Sequence, residues 1–354
     1  MTMQKWITSI YAGAGFDASA KAKDDIAKIG VAAGYKPIHV FFYNDNGESD
    51  AAKISRIDGL TAGLNSGDMV VIQYPSWISH KFDTFFIDQM NKRGMKPVVF
   101  AHDVDSWRFE SVKNDFDEIE YFNKAAVLVV HGPAMANRLR EEGVTVPMVD
   151  YRLLDYLDDD HSWDKYEISI DTFQREIVLA GNLFKSNYLI DWPYDTPATA
   201  LGVTNDELAN RLNANPKVTY GGAYHQWDLI NHLPRAFGLA WDINLEGKSY
   251  ADYTNYNHPH KVSLYISHGM PVIVPKSSAV APFIEANKLG FALNSLDEID
   301  DIVLRTPDDV LADTLTHTAQ MGRLLRDGWF TANALQQAER RILDNDFNPA
   351  GLTV

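Results

Sequence analysis

The chain has 354 residues, enough for two ordinary domains, and an apolar and aromatic content typical of a globular protein. A formal net charge of −16 argues against nucleic acid or an anionic membrane surface as the main partner, and the absence of cysteine excludes disulfides, a thiol nucleophile and zinc–thiolate sites. No apolar run approaches membrane-spanning length and the start lacks a basic-then-apolar signal pattern, so a cytoplasmic protein not integral to a membrane is expected.

The N-terminal half alternates short apolar runs with helical patterns, which implies a parallel sheet covered by helices. Strands are expected over residues 6–11, 38–43, 69–74, 98–101, 126–130 and 147–151, and helices over 19–33 and 81–93. After the first strand comes Gly13-Ala14-Gly15-Phe16-Asp17-Ala18, which fits the G-x-G-x-x-G/A dinucleotide fingerprint, with Asn44-Asp45 near the end of the second strand. A plain glycine turn between strand and helix fits equally well, and the loop could then line the floor of a ligand cleft. The third strand ends in Gln73-Tyr74-Pro75-Ser76-Trp77 and the fourth in His102-Asp103-Val104-Asp105-Ser106-Trp107-Arg108. Polar and aromatic residues thus gather where strands stop, the usual ligand edge of α/β proteins. His102 with Asp103 is a candidate general base and its neighbour; the alternative is a histidine satisfied by backbone and an aspartate capping the next helix.

Residues 153–172 are acidic and turn-rich, and read as a solvated connection between domains. The architecture then restarts. Residues 176–180 form a strand followed by Gly181-Asn182-Leu183-Phe184-Lys185, with the lysine ahead of a helix. Further strands are expected over 217–220, followed by Gly221-Gly222-Ala223-Tyr224, and over 237–241, ending in Asp242. The stretch Asn257-His258-Pro259-His260-Lys261 opens a helix that stops at Gly269, and a strand follows over 270–274. Proline suits the first helical position, the amides of a first turn form an anion site, and Lys261 is a mobile cation set against its own helix dipole. This unit reads as a diphosphate cradle, with Lys185 and Lys261 sharing the charge; the bland alternative is an ordinary helix start with a solvated lysine. The end of the chain, 307–344, is helical in composition and Trp329-Phe330 marks its return to the first domain. The domains are expected at 1–152, 153–328 and, for the returning helix, 329–354.

Taken together these motifs give the chain its resemblance. Gly67-Asp68-Met69-Val70-Val71-Ile72-Gln73-Tyr74-Pro75, His102-Asp103-Val104 with Arg108, and Asn123 with His131 and Met135 carry it in the first half. Ala180-Gly181-Asn182-Leu183 with Lys185, Phe237-Gly238-Leu239-Ala240-Trp241-Asp242, and Asn257-His258-Pro259-His260-Lys261-Val262-Ser263-Leu264-Tyr265 carry it in the second. The chain resembles the bacterial galactofuranosyltransferase-like and adhesin-modifying glucosyltransferases over nearly its whole length. The resemblance implies two Rossmann-like domains facing across a cleft, the B-type glycosyltransferase (GT-B) architecture. It also implies a UDP-sugar-dependent hexosyltransferase, most simply a UDP-glucose enzyme. The acceptor would be a glycan or glycoprotein such as a GlcNAc-modified serine-rich-repeat adhesin, and the assembly a homotetramer. The pair of glutamates of the widespread retaining B-type enzymes is replaced here by Tyr256 and Leu264, so their donor contacts do not carry over. The acidic insert around Asp158–Asp160 is not matched to the family's pattern.

On this reading the donor is bound by Gly15, Gly181, Asn182, Lys185, Tyr224, Asn257, His260 and Lys261. Tyr224 stacks on or borders the uracil, Asn182 orients the donor, and Asn257 and His260 contact the diphosphate or sugar. No metal and no cofactor are expected, because helix amides and lysines do what a metal does elsewhere. Asp103, His102 and Asp17, in that order, are candidates for the base that deprotonates an acceptor hydroxyl. Three alternatives stay open: a UDP-galactofuranose-dependent transferase, an NAD(P)-binding oxidoreductase using Gly13–Ala18 and Asp45, and a non-catalytic sugar-binding partner of a glycosyltransferase complex.

Overall fold

The computed structural model describes residues 3–11, 18–158, 167–225 and 228–347. The described residues divide into two compact units, one from 3–11, 22–152 and 328–347, the other from 18–21, 153–158, 167–225 and 228–327.

In the first unit the strands are β1 (Lys5–Tyr11), β2 (Lys36–Phe41), β3 (Met69–Tyr74), β4 (Lys96–Ala101), β5 (Val127–Val130) and β6 (Met148–Asp150). They form a six-stranded parallel sheet in the order β2-β1-β3-β4-β5-β6. β3 is buried along its whole length, as a central strand covered on both faces must be. The helices are α1 (Ala18–Ala32), whose residues 18–21 are grouped with the other unit, α2 (Asp50–Leu60), α3 (His80–Lys92), three short ones, α4 (Asp105–Arg108), α5 (Glu110–Asp115) and α6 (Glu118–Asn123), and α7 (Pro133–Glu141). Ser49 and Ser79 cap α2 and α3 by accepting the amides of Ala52 and Phe82.

The second unit carries β7 (Ile177–Ala180), β8 (Ala198–Leu201), β9 (Val218–Gly222), β10 (Phe237–Leu239), β11 (Val272–Pro275) and β12 (Gly290–Leu293). Their order, β12-β11-β10-β7-β8-β9, is that of a doubly wound Rossmann sheet, also parallel throughout. Its helices are α8 (Asp206–Ala214), α9 (Tyr250–Tyr253), α10 (His260–Ser267), α11 (Ala281–Ala286), α12 (Ile299–Arg305) and α13 (Asp308–Arg326). The core gathers Leu179, Phe237 and Ile273 from the sheet with Leu311 and Leu315 of α13. The last helix, α14 (Trp329–Phe347), packs on β5 and β6 of the first unit, and Lys5 pairs with its Glu339 at 3.1 Å.

The sequence reading placed most of these strands within a residue or two, but it missed β8. Ala198-Thr199-Ala200-Leu201 is short, small and half polar, and only its place between β7 and β9 makes it a strand. Residues 153–172 also need correcting. Leu153, Leu154, Asp155 and Tyr156 are buried, so the start of the connection belongs to the interior. The strand expected to reach Tyr43 stops at Phe41. Asp45, the residue offered for a dinucleotide ribose, is buried, pairs with Lys53 at 2.7 Å and accepts from the Ser79 hydroxyl at 2.6 Å.

Candidate functional site

In an open α/β sheet the crevice for a ligand lies where neighbouring strands send their connections to opposite faces. In the second unit that point falls between β7 and β10. A pocket opens there, lined on the β7 and β8 side by Ala180, Gly181, Leu201, Gly202 and Val203. Ala223, Tyr224 and Leu229 form the far wall, and His260, Lys261 and Leu264 of α10 face them, with Tyr156. Four of the residues singled out from sequence, Gly181, Tyr224, His260 and Lys261, therefore share one pocket. The backbone makes this possible through close approach. Gly202 lies so near that a β-carbon there would come within 1.7 Å of the Gly181 carbonyl oxygen, and its φ of +141° is also one that only glycine adopts readily.

The cradle differs from the sequence reading in two respects. Pro259 is the N-cap of α10, with φ −61° and ψ 133°, and His260 is the first helical residue. Lys261 is not a mobile cation: its side chain is 16% exposed and its Nζ lies 2.5 Å from Oδ1 of Asp242, just beyond β10. Asp242 thus presets the lysine at the helix start, where the dipole alone would repel it. Gly269 ends the helix at φ +73°, as expected of a C′ residue. His260 is stacked on Tyr156, with ring centroids 5.1 Å apart, and the edge of Tyr156 meets His268 at 5.7 Å. His268 is held neutral: burial pushes its pKa down to about 4, while its Nδ1 lies 2.5 Å from the Leu264 carbonyl oxygen. The Oδ1 of Asn257 is buried without a hydrogen-bond partner among the described residues.

Lys185 lies differently from expectation, and Asn182 and Tyr224 are held by local contacts. Lys185 does not precede a helix. It sits within a kinked 3-10 stretch, Leu183–Asp191, with its ammonium 3.8 Å from the centre of the Tyr250 ring. Asn182 caps that stretch, accepting from the Phe184 amide at 3.0 Å. Tyr224 has one ring face covered by His232 at 3.5 Å, and its hydroxyl donates to the Gly221 carbonyl at 2.8 Å, so it borders the pocket as a fixed wall. Gly15 and Asp17 lie outside the described residues. Sequence reasoning missed Asp242 as a partner, Gly202, and Tyr156. Asp242 carried a signal, an acid just beyond a strand of the same sheet; Gly202 follows the unrecognised β8, and Tyr156 lay in a stretch read as linker.

In the first unit the strand ends after β3 and β4 form a dense polar cluster. The side-chain amide of Gln73 donates to the carbonyls of Thr8 at 2.7 Å and Lys23 at 3.0 Å, which turns its oxygen toward His102 Nε2 at 2.9 Å. His102 therefore carries its proton on Nε2, and Nδ1 is the nitrogen able to accept one. His131 Nε2 donates to the His102 carbonyl at 2.8 Å. Asp103 faces Arg108 at 2.5 Å, and Arg108 reaches Asp105 at 3.3 Å. Glu118 is buried and accepts from the amides of Asp105 and Ser106 at 2.9 and 2.6 Å and from the Tyr74 hydroxyl at 2.5 Å. Asp83, also buried, accepts from the Ser76 amide at 3.3 Å, and burial pushes its pKa up to about 6. His80 is stacked on Phe116 and hydrogen-bonded to Asp105. Burial would depress its pKa, but the Asp105 hydrogen bond and the surrounding carboxylates outweigh that and hold it above its usual value. Trp77 adopts φ +66°, an unusual conformation for a large side chain. Among the described residues no group of three or more His, Asp or Glu side chains is arranged to hold a metal ion.

Family models match both halves of this chain, the glucosyltransferase 3-like N-terminal domain over residues 4–153 and the C-terminal domain over 177–338. The chain belongs to the glucosyltransferase 3-like family. It is 28% identical over 342 residues to glucosyltransferase 3 of Streptococcus gordonii, covering 95% of this chain and 98% of the relative. It is 25% identical over 330 residues to a beta-1,6-galactofuranosyltransferase of Escherichia coli strain K12, covering 84% and 98%. In fold it is similar to a structure described as trehalose-6-phosphate from E. coli bound with UDP-2-fluoro glucose, with a TM-score of 0.63, 8% identity and coverage of 95% of this chain and 99% of that one. The chain is a glycosyltransferase of the B-type architecture, with one Rossmann-like parallel sheet in each of its two α/β domains. No helix among the described residues is long and apolar enough to cross a membrane.

Proposed function

We propose that the chain transfers a hexose, in the first instance glucose, from a UDP-sugar to a glycan acceptor without a metal ion. The observation that carries this reading is the pocket between β7 and β10 in the second unit, where Gly181, Tyr224, His260 and Lys261 meet beside the first turn of α10. Negative charge develops on the leaving UDP as the anomeric bond breaks. Lys261, preset by Asp242, and the first-turn amides of α10 stabilise it electrostatically. Metal independence follows if these groups carry the whole charge. In an inverting reaction Asp103, on the loop after β4, takes the proton of the attacking hydroxyl, with His102 Nδ1 as the alternative base. The glucosyltransferase 3 relative supports a glucose donor, and a GlcNAc-bearing serine-rich-repeat adhesin is the acceptor to try first. The galactofuranosyltransferase relative supports UDP-galactofuranose as a second donor. A cytoplasmic homotetramer belongs to the same proposal, and light scattering on the purified protein tests its mass.

The test is a donor panel. UDP, UDP-glucose, UDP-galactose, UDP-galactofuranose and NADH are mixed with the protein, melting temperature is followed, and transfer to a GlcNAc-bearing peptide is read by mass spectrometry with excess EDTA present. Stabilisation by UDP and UDP-glucose with sugar transfer in EDTA is expected. Transfer restored only by magnesium or manganese would reject metal independence. Stabilisation by NADH alone would reject the donor reading, and binding without turnover would leave a sugar-binding partner in its place.

A further inference from the structure

We propose that Glu118 is a positioning residue for the acceptor chemistry: it holds the loop after β4, and through that loop the Asp103–Arg108 pair, against the end of β3. The inference rests on the reading of Asp103 as the base. Glu118 is 2% exposed and lies in the first turn of α6, whose N-cap Asp117 accepts from the Glu120 amide. A carboxylate is expensive to bury unless several donors meet it. Here three do, from two separate elements: the Tyr74 hydroxyl from the end of β3, and the amides of Asp105 and Ser106 from the first turn of α4. The N-cap residue of α4, Val104, makes no side-chain cap of its own. A local serine or aspartate would satisfy those amides just as well if only the helix end mattered. Glu118 does something a local cap does not, which is to lock the single turn of α4 to β3.

That turn is four residues long, so fixing its first two amides fixes its last residue, Arg108. Arg108 in turn reaches Asp103 at 2.5 Å and Asp105 at 3.3 Å. The line of contacts therefore runs from Tyr74 through Glu118, α4 and Arg108 to the Asp103 carboxylate. Glutamine at 118 keeps the size but presents an N–H where one of the two backbone amides needs an acceptor, so the turn must shift.

The experiment is a double-mutant cycle of Glu118→Gln with Asp103→Asn, read as kcat and as KM for each substrate, beside UDP affinity by calorimetry and melting temperature. Glu118→Gln alone is expected to lower kcat by about tenfold or more, with donor KM and UDP affinity unchanged. In the Asp103→Asn background the same change is expected to lower kcat by less than about twofold, because the group being positioned is already gone. Tyr74→Phe removes one of the three donors and leaves both amide bonds. It is expected to give a smaller loss with the same dependence on Asp103, and it carries the test if Glu118→Gln does not fold. Losses that multiply fully in the double variant would make Glu118 a structural residue and overturn the inference while Asp103 keeps its role. Wild-type turnover in Asp103→Asn would overturn the base reading, and this inference with it.

Discussion

In the proposed donor pocket Lys261 is the cation that meets the diphosphate, and Asp242 both presets it and competes for it. The two side chains are only 16% and 12% exposed, so neither charge is well solvated without the other. Lys261→Ala removes a charge-assisted contact to a phosphate and leaves the Asp242 carboxylate facing the same phosphate. UDP affinity is expected to fall by roughly 1.5–3 kcal/mol, about ten- to a hundredfold, measured by calorimetry. Asp242→Asn has the opposite logic. It releases the ammonium and removes a competing anion, so UDP should bind as well or more tightly, at the expense of a lower melting temperature. Weaker UDP binding in Asp242→Asn would show that the presetting of Lys261 by Asp242 outweighs its competition with the phosphate. At the same scale, His102→Gln separates the two candidate bases. Gln73 holds the Nε2 proton of His102, so only Nδ1 can take part, and turnover close to wild type in this variant, with a loss on the order of 10²-fold in Asp103→Asn, assigns the proton to Asp103.

At the scale of elements, the pocket exists because two strand ends approach each other without side chains. The loops after β7 and β8 meet at Gly181 and Gly202, and a methyl group on Gly202 would collide with backbone, which cannot step aside. Gly202→Ala is expected to cost several kcal/mol of stability in the second unit, or to open the pocket and abolish UDP binding, as read by denaturant titration and calorimetry. Gly59 is the matching control. It lies inside α2, where a β-carbon meets nothing within 4 Å, so Gly59→Ala should stabilise the first unit by about 0.5–1 kcal/mol and leave UDP binding alone. Equal behaviour of the two variants would mean that the Gly181–Gly202 contact does not shape the site.

At the scale of the whole molecule, the two units respond to acid in opposite directions. In the first, burial raises the Asp83 pKa from 3.8 to about 6, so the folded state binds a proton more readily than the unfolded state. Stability of that unit therefore rises as pH falls from about 6 to 4, and the raised pKa of Glu118 acts in the same sense, whereas the raised pKa of His80 builds its contribution above pH 6.5, so that it is already complete before this window begins. In the second, His268 is depressed from 6.5 to about 4, so the unfolded state takes up the proton first and stability is lost over nearly the same interval. Glu176, raised by burial, opposes that loss in part. Each of the two large displacements corresponds to about 3 kcal/mol at most. Carboxylates with lowered values, such as Asp45 and Asp300, act only below about pH 4 and leave this window untouched. Calorimetry between pH 6.5 and 4 should show two transitions whose midpoints move apart, and Asp83→Asn should flatten the one that rises. A single transition that falls uniformly on acidification would contradict this.

Alternation of apolar runs and helical patterns was enough to establish two parallel-sheet domains, because a strand buried on both faces is largely apolar, as β5 and β7 are throughout and β3 is as far as Ile72. The cradle was legible for a local reason: a proline, a helix start and a closing glycine lie within thirteen residues, from 257 to 269, and local geometry follows from local sequence. Charge pairing was not legible in the same way. Whether Lys261 is a free cation or half of an ion pair depends on Asp242, nineteen residues away on another strand end. Tyr156 entered the pocket wall, and Glu118 reached the loop after β4, only because the chain folds back on itself over long separations. Ala198–Leu201 became a strand because β7 and β9 leave it no other place. Backbone conformation is written into neighbouring residues, whereas burial and electrostatics are set by whatever tertiary packing brings alongside, and the site is made of both.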